Sequence, residues 1–345
     1  MDKMCSSEDI YSMTFQNSIG VPIKITEKVI LDLIKTKEVQ RLKHIKQAGI
    51  TAYSKVYRGK HIQDRFEHSV HVMLLVRHLG CNVLEQIRAL LHDIGHTPFS
   101  HIGDLLYGEN FHEIRIYDYL RGSQVEIVLK THGYSLDDAC LETNIVKAPR
   151  PDINADRLTY CLDTCLIFDK LTIEDARNIY DNIELNEDNI IRFTDKDIAE
   201  KSLKQFMILA KSWVSEYNTG LYYKFTKIVE KSFQDKVFSK FGFLDLKDDD
   251  VVACLRDMYP LEMKKLFETK FVYQYSESED RYKVKNKIRF LDPLITLPYP
   301  NIRGNRWETV RSSKLFDWLQ PQIDVMRSNY SQYYIEDIED IEEEE

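Results

Sequence analysis

Apolar residues recur every three or four positions through most of this chain, in stretches bounded by polar caps, glycines and prolines. That period marks helices with one buried face. From Thr26 to Gln47 the apolar set is Val29, Ile30, Leu33, Ile34, Leu42 and Ile45, which predicts a helix with Thr26 as N-cap and Gly49 as terminator. Glu67 to Leu79 predicts a second, buried through Val70, Met73, Leu74 and Leu79 and ended by Gly80. Val83 to Ile94 predicts a third, with Leu84, Ile87, Leu90, Leu91 and Ile94 inward and Gly95 and Pro98 stopping it. Short helices are expected over 111–121 and 123–131. A longer one is expected over Asp156–Phe168, entered through Lys147-Ala148-Pro149-Arg150-Pro151, whose prolines keep the approach extended. Further helices are expected at about 172–181, 198–218, 219–240 and 247–258, and residues 50–62 read as a loop or short hairpin.

Beyond Lys270 the pattern changes. Phe271–Tyr275 and Lys283–Phe290 read as strands around a charged turn, Pro293, Pro298 and Pro300 punctuate the next stretch, and Ser312–Tyr330 is helical again. The fold class is therefore mostly α: a helical body with a smaller α+β C-terminal part. The expected division is a core over 1–175, a helical and then α+β region over 176–334 packed on it, and an acidic tail over 335–345. That tail reads Ile-Glu-Asp-Ile-Glu-Asp-Ile-Glu-Glu-Glu-Glu and is expected to be disordered. No internal repeat is present.

Composition narrows the function. The net charge of −9 offers no overall field for nucleic acid, so no such partner is expected. No apolar run approaches membrane-spanning length, and the start, Met1 to Asp9, lacks the apolar segment of a secretory signal. The six cysteines (Cys5, Cys81, Cys140, Cys161, Cys165 and Cys254) form no CxxC pair. They read as buried reduced thiols, which suits the cytoplasm or another reducing compartment.

The candidate chemistry lies in three separated segments. Arg65-Phe66-Glu67-His68 opens one helix, His92-Asp93 closes the next, and Asn154-Ala155-Asp156-Arg157 opens a third. His68, His92, Asp93 and Asp156 are two imidazoles and two carboxylates, a set able to hold one divalent metal and leave positions open for water and a phosphate oxygen. Asp93 and Asp156 sit among apolar neighbours, where a carboxylate is costly unless paired or bound to a cation. One ion would satisfy both. His71 follows His68 by three residues and reads as its support, whereas His44, His61 and His78 read as ordinary core or surface histidines.

Those four residues form an H…HD…D pattern that resembles the HD-domain phosphohydrolases. The resemblance extends to the branch that holds the animal sterile-alpha-motif-and-HD-domain dNTP triphosphohydrolases and related bacterial proteins. It rests on Gln40–Gln47, on Arg65-Phe66-Glu67-His68-Ser69, on the long run His92-Asp93-Ile94-Gly95-His96-Thr97-Pro98-Phe99-Ser100-His101, on Phe111-His112-Glu113 and on Ala155–Tyr160, and covers about residues 15–170. It implies an HD-domain helical bundle, a nucleotide substrate and assembly as a dimer or tetramer. It implies one divalent ion (Fe, Mn, Zn, Ni or Mg) on His68, His92, Asp93 and Asp156, a second ion being less expected. His96 is implied as general acid, with Asp104 and His112 as catalytic partners, while His101 is read as structural. Arg65 and Arg157 match phosphate-contacting positions, and Gln47 and Tyr160 match groups that contact the sugar. The implied reaction is hydrolysis of a (deoxy)nucleoside triphosphate to nucleoside and triphosphate. The alternatives are a phosphomonoesterase or phosphodiesterase on the same metal site, and a silent nucleotide-binding protein.

The chain departs from the branch pattern after Tyr160. Asp163 and Thr164 stand where an Arg-Asp pair is usual, and Thr159 replaces a frequent Asp. Lys35 lies where the animal enzymes carry an Asp that reads an activating guanine. Deoxyribose selection and guanine-dependent activation are therefore not expected to carry over unchanged.

Overall fold

The computed structural model describes residues 12–274, 278, 281–284, 286–298, 307–330 and 333–338. Three helices form the bed of the structure. Arg65–His78 begins where the Asp64 carboxylate accepts the Glu67 backbone N–H at 2.8 Å. Val83–Leu91 begins at Asn82 in the same way, through Glu85 N–H at 3.0 Å. Ala155–Ile167 begins at Asn154, through Arg157 N–H at 2.8 Å. Each cap satisfies a backbone donor that the first helical turn leaves unpaired. The Arg65–His78 helix packs against both of the others.

Two apolar clusters hold the chain together. The larger joins Met73, Leu75, Leu90 and Leu162 to Ile191, Phe193, Phe206, Phe316 and Met326, so residues on both sides of position 175 share it. The smaller forms between Glu216–Gln234, Asp248–Met258 and Pro260–Glu268. It takes in Ile50, Phe99 and Ile102, which flank the candidate chemistry. The sheets are peripheral. Met13–Gln16 pairs antiparallel with Pro22–Ile25. A four-stranded sheet runs in the order Ile183–Leu185, Ile191–Phe193, Leu294–Pro298, Trp307–Arg311, with a parallel middle pair. A three-stranded antiparallel sheet places Tyr333–Ile338 between Lys270–Gln274 and Arg281–Val284. Among the described residues no helix is long and apolar enough to cross a membrane.

Several expected elements take other boundaries. The helix expected from Thr26 to Gln47 is two, Lys28–Ile34 and Lys37–Arg41, followed by a 3-10 turn at Leu42–His44. Thr36 breaks it: its hydroxyl accepts Val39 N–H and donates to the Leu33 carbonyl, a local alternative to helical bonding. Glu27, not Thr26, stands at the N-cap of the first helix. Residues 50–62 hold two 3-10 turns, Gly49–Tyr53 and Lys55–Tyr57, and no hairpin. The strand expected over 283–290 ends at Val284. The acidic tail is not disordered from residue 335: Ile335 is fully buried inside the Tyr333–Ile338 strand, because Ile335 faces Phe271 and Val284 in a small apolar cluster. Residues 339–345 of that tail, with Cys5, Tyr275 and Pro300, lie outside the described residues.

Candidate active site

The helix expected to run to Ile94 ends at Leu91, with His92 as its C-cap. Tight i→i+3 turns come next, Ile94 N–H to the Leu91 carbonyl at 3.0 Å and His96 N–H to the Asp93 carbonyl at 3.1 Å. The chain must bend there against the Phe111–Ile114 helix, because a Cβ on Gly95 would stand 2.0 Å from the His112 carbonyl oxygen. This turn throws His92, Asp93 and His96 to one side, facing the first turns of Arg65–His78 and Ala155–Ile167.

His68, His92 and Asp156 meet there, with one ligand atom of each within 4.8 Å of the others. His68 Nε2 lies 3.0 Å from Asp156 Oδ1, and His92 Nε2 lies 3.5 Å from the same oxygen and 3.4 Å from Asp93 Oδ1. His92 Nδ1–H donates to the Ala89 carbonyl at 2.7 Å, which leaves Nε2 as a lone pair. That atom is buried and accepts no hydrogen bond. An imidazole fixed through one nitrogen, with the other aimed bare at carboxylates, is the donor arrangement a divalent cation requires. The residues therefore fit such an ion.

Asp93 turns its second oxygen away. Oδ2 is ion-paired with Arg65 Nη1, and Oδ1 lies 3.3 Å from His96 Nε2. Burial alone would raise the Asp93 carboxyl, but the charges of Arg65, His92 and His96 hold it well below the usual carboxylate range. Asp156 is likewise held low against its burial, by the His68 hydrogen bond and the neighbouring His92. His96 is 1% exposed, and burial together with the Arg65 and His112 charges pushes its imidazole well below its ordinary value.

A second cluster adjoins the first. His96 stacks on His112 with ring centroids 4.1 Å apart and planes 13° from parallel. His101 packs edge-on to both. Asp104 accepts His112 Nδ1–H at 2.8 Å and His101 Nδ1–H at 3.1 Å. Burial pushes His101 down to about 4, whereas Asp104 is held low against its own burial by these two donors. His96, His101 and His112 also bring ligand atoms within 4.8 Å of one another, so this trio is the only place among the described residues for a second ion.

The remaining expected residues are spread around these clusters. Arg65 braces Asp93 and also donates through Nε to Ser100 Oγ at 2.9 Å. Gln47 lies on the loop beside Ser100, and its buried Oε1 has no partner. Tyr160 packs edge-on against Trp213 at 5.3 Å. Arg157 Nη1 is not turned into the cluster but donates to the carbonyls of Ala148 and Asp152, at 2.9 and 2.6 Å. Lys287 and Arg289 were not singled out by the sequence. Burial and the nearby charges of Arg289 and Arg150 push the Lys287 ammonium down, while Glu113 and Asp104 oppose them. The Arg289 charge also bears on His101 and Tyr160. A cationic face thus gathers beside the histidines from a segment with no sequence signal of its own.

The family model described as HD domain matches residues 65–148. That segment of the chain is an HD domain. It takes in His68, the His92-Asp93 pair, His96, Asp104 and His112, while Asp156 lies just past the matched residues. Over 166 residues the chain is 34% identical to a metal-dependent phosphohydrolase, cns2, of Cordyceps militaris, covering 46% of this chain and 47% of that protein. Over 119 residues it is 33% identical to the deoxynucleoside triphosphate triphosphohydrolase SAMHD1 of Xenopus laevis, covering 29% of this chain and 18% of the relative. The chain therefore spans about half the length of the first relative and about a fifth of the second. A hypothetical protein from Aquifex aeolicus shares the fold along 94% of this chain and 96% of its own, with a TM-score of 0.66 at 17% identity.

Proposed function

We propose that this protein is a metal-dependent phosphohydrolase that cleaves nucleoside triphosphates to nucleoside and inorganic triphosphate. The observation that carries the proposal is the bare, buried Nε2 of His92, facing His68, Asp93 and Asp156 one turn from the His96–His112–Asp104 cluster. The four residues of the first cluster would hold the ion. When bound, a divalent cation supplies Lewis-acid polarisation of a phosphoryl oxygen.

The chain's own residues supply the rest. Arg65, Lys287 and Arg289 set positive charge beside the clusters, as a triphosphate requires. Gln47 offers an unpaired acceptor suited to a sugar hydroxyl. In the reaction a water oxygen forms a bond to the α-phosphorus and the bond from that phosphorus to the 5′ oxygen breaks. The leaving oxygen takes a proton from the stacked His96–His112 pair, and Asp104 sets the tautomer of His112 through Nδ1.

Asp163 takes no part in sugar recognition. It is buried against His71 Nδ1 at 2.9 Å and Gln63 Nε2 at 2.6 Å, so the chain uses its departure from the branch pattern to brace two helices. The substrate preference on the ribose 2′ and 3′ positions is accordingly set elsewhere. The test is a panel of ribo- and deoxyribonucleotides with Mn, Mg, Fe, Ni or Co, products identified by mass. Inorganic triphosphate is expected. Orthophosphate or a monoester would replace the proposal with a monoesterase or diesterase, and binding without turnover would replace it with a silent nucleotide-binding protein.

A further inference from the structure

Asp248 lies outside the HD domain, about a hundred residues past the matched segment, yet it is fully buried. It opens the Asp248–Met258 helix, and each carboxylate oxygen accepts one backbone N–H from a different loop of the site. Oδ2 takes Lys46 N–H at 2.8 Å and Oδ1 takes Phe99 N–H at 2.7 Å. Lys46 precedes Gln47. Phe99 precedes Ser100, whose hydroxyl donates to the Lys46 carbonyl at 2.7 Å and accepts Arg65 Nε–H. Phe99 and Ser100 both hold left-handed backbone, with φ of 58° and 59°. Two such residues in succession are strained and persist only where surrounding contacts fix them. Asp248 supplies such a contact, since without it the Phe99 N–H would be a buried donor with no acceptor. The Lys46 loop is held from the same side a second time. Tyr222 donates to the Ala48 carbonyl at 3.0 Å, and Gly49 leaves no room for a Cβ, which would stand 2.2 Å from the Tyr222 hydroxyl.

We propose that Asp248 is a positioning residue: its carboxylate clamps the loops of Gln47 and Ser100 together, and through Ser100 sets Arg65, so that the C-terminal region determines how the HD domain holds the sugar and phosphates of its substrate. This rests on the phosphohydrolase reading for the identity of the ligand. Asp248 touches none of the four proposed ion ligands and reaches Asp93 only through Ser100 and Arg65, so its main effect falls on substrate binding.

The test is Asp248→Asn in the full chain. Asparagine keeps the volume but has one acceptor oxygen, so its NH2 group must face a backbone N–H. Ion content per chain is expected to equal wild type. Misplacement of binding groups by about an ångström costs on the order of 10²-fold, so kcat/KM is expected to fall by about that factor, carried by KM rather than kcat. Amide hydrogen exchange is expected to accelerate at Lys46 and Phe99, and inorganic triphosphate is expected to bind at least about tenfold more weakly by calorimetry. A loss confined to thermal stability, with KM and triphosphate affinity unchanged, overturns the proposal. If wild type hydrolyses no nucleotide, the phosphohydrolase reading fails by itself, and triphosphate affinity and exchange still decide the clamp: unchanged values overturn it. Should Asp248→Asn not fold, Ser100→Ala cuts the same chain of bonds one link further on, and a wild-type KM there overturns the proposal equally.

Discussion

Asp104 is the most informative single substitution, because one carboxylate fixes two imidazoles. It accepts Nδ1–H from His112 at 2.8 Å and from His101 at 3.1 Å, and it also receives the His112 backbone N–H at 3.4 Å. Asp104→Asn preserves the shape and removes one acceptor. The amide NH2 must then face one of the two rings, and that ring must present a lone pair and move its proton to Nε2. Under the proposed mechanism that ring also loses the carboxylate that stabilises its imidazolium form, so the proton owed to the leaving oxygen is held less readily. General acid–base groups contribute about 10²–10⁴-fold, and a comparable wrong-tautomer exchange in a Ser-His-Asp triad costs about 10⁴-fold. Here one of the two rings keeps its partner, so we expect a loss in kcat of about 10²–10³-fold, or roughly 3–4 kcal/mol of barrier. Released triphosphate would be followed by ion chromatography on ion-loaded protein, with metal measured by elemental analysis on the same sample. Metal content and KM should stay near wild type, because Asp104 makes no contact with His68, His92 or Asp156. Retention of kcat within about threefold at equal metal content would refute the assignment, since the removed bond would then carry less than about 0.7 kcal/mol of the barrier.

The same geometry sets two further outcomes. His92→Ala removes the bare Nε2 and should weaken the affinity for Mn or Fe by more than about 100-fold, with turnover lost in parallel; elemental analysis showing one ion per chain together with wild-type activity would disprove the ion site. Burial pushes Asp248 up to about 7 from 3.8 against the pull of the Lys46 and Phe99 N–H groups, so below that value the folded state favours its protonated form and above it the ionised, doubly accepting clamp is in place. The protonated form's contribution is complete below the unfolded value and is lost as pH rises through about 7, amounting to at most about 4 kcal/mol. Thermal melts between about pH 5 and 8 should therefore fall more steeply for wild type than for Asp248→Asn, and parallel curves would show that the carboxyl ionises without penalty.

The parts of the fold that were legible are those where local chemistry and burial agree. The helices read from apolar spacing as Glu67–Leu79 and Asp156–Phe168 lie within two residues of the observed Arg65–His78 and Ala155–Ile167, whose starts the Asp64 and Asn154 caps fix. The Lys28–Arg41 region departs from its pattern because the buried Thr36 forms its own two bonds, and periodicity does not register that competition. The strands Ile183–Leu185 and Ile191–Phe193 are three residues each, too short for alternation to show. Within the candidate site, the motif residues were legible because they fall in runs of the chain that carry the resemblance. His101 reads as separate from the histidine cluster in the sequence because its role depends on Asp104 and His112, which lie three and eleven residues further along the chain and meet only after the Gly95 bend.

The C-terminal contribution left no trace in the sequence for a related reason. Asp248 stands first in an Asp248-Asp249-Asp250 run, the composition of any solvated helix start, where carboxylates favour the positive end of the helix dipole. Nothing in that run distinguishes the residue that is fully buried on two foreign N–H groups from Asp249, which takes an exposed hydrogen bond from Tyr53. The distinction lies in the loops that arrive at it: Phe99 and Ser100 are in left-handed backbone, and the Phe99 amide needs an acceptor from elsewhere. A buried carboxylate and a strained loop are each unfavourable alone, and each removes part of the other's cost when they meet. On the proposed reading, then, the ion residues meet without Asp248, whereas Gln47, Ser100 and Arg65 take their places from a helix that lies outside the matched HD segment.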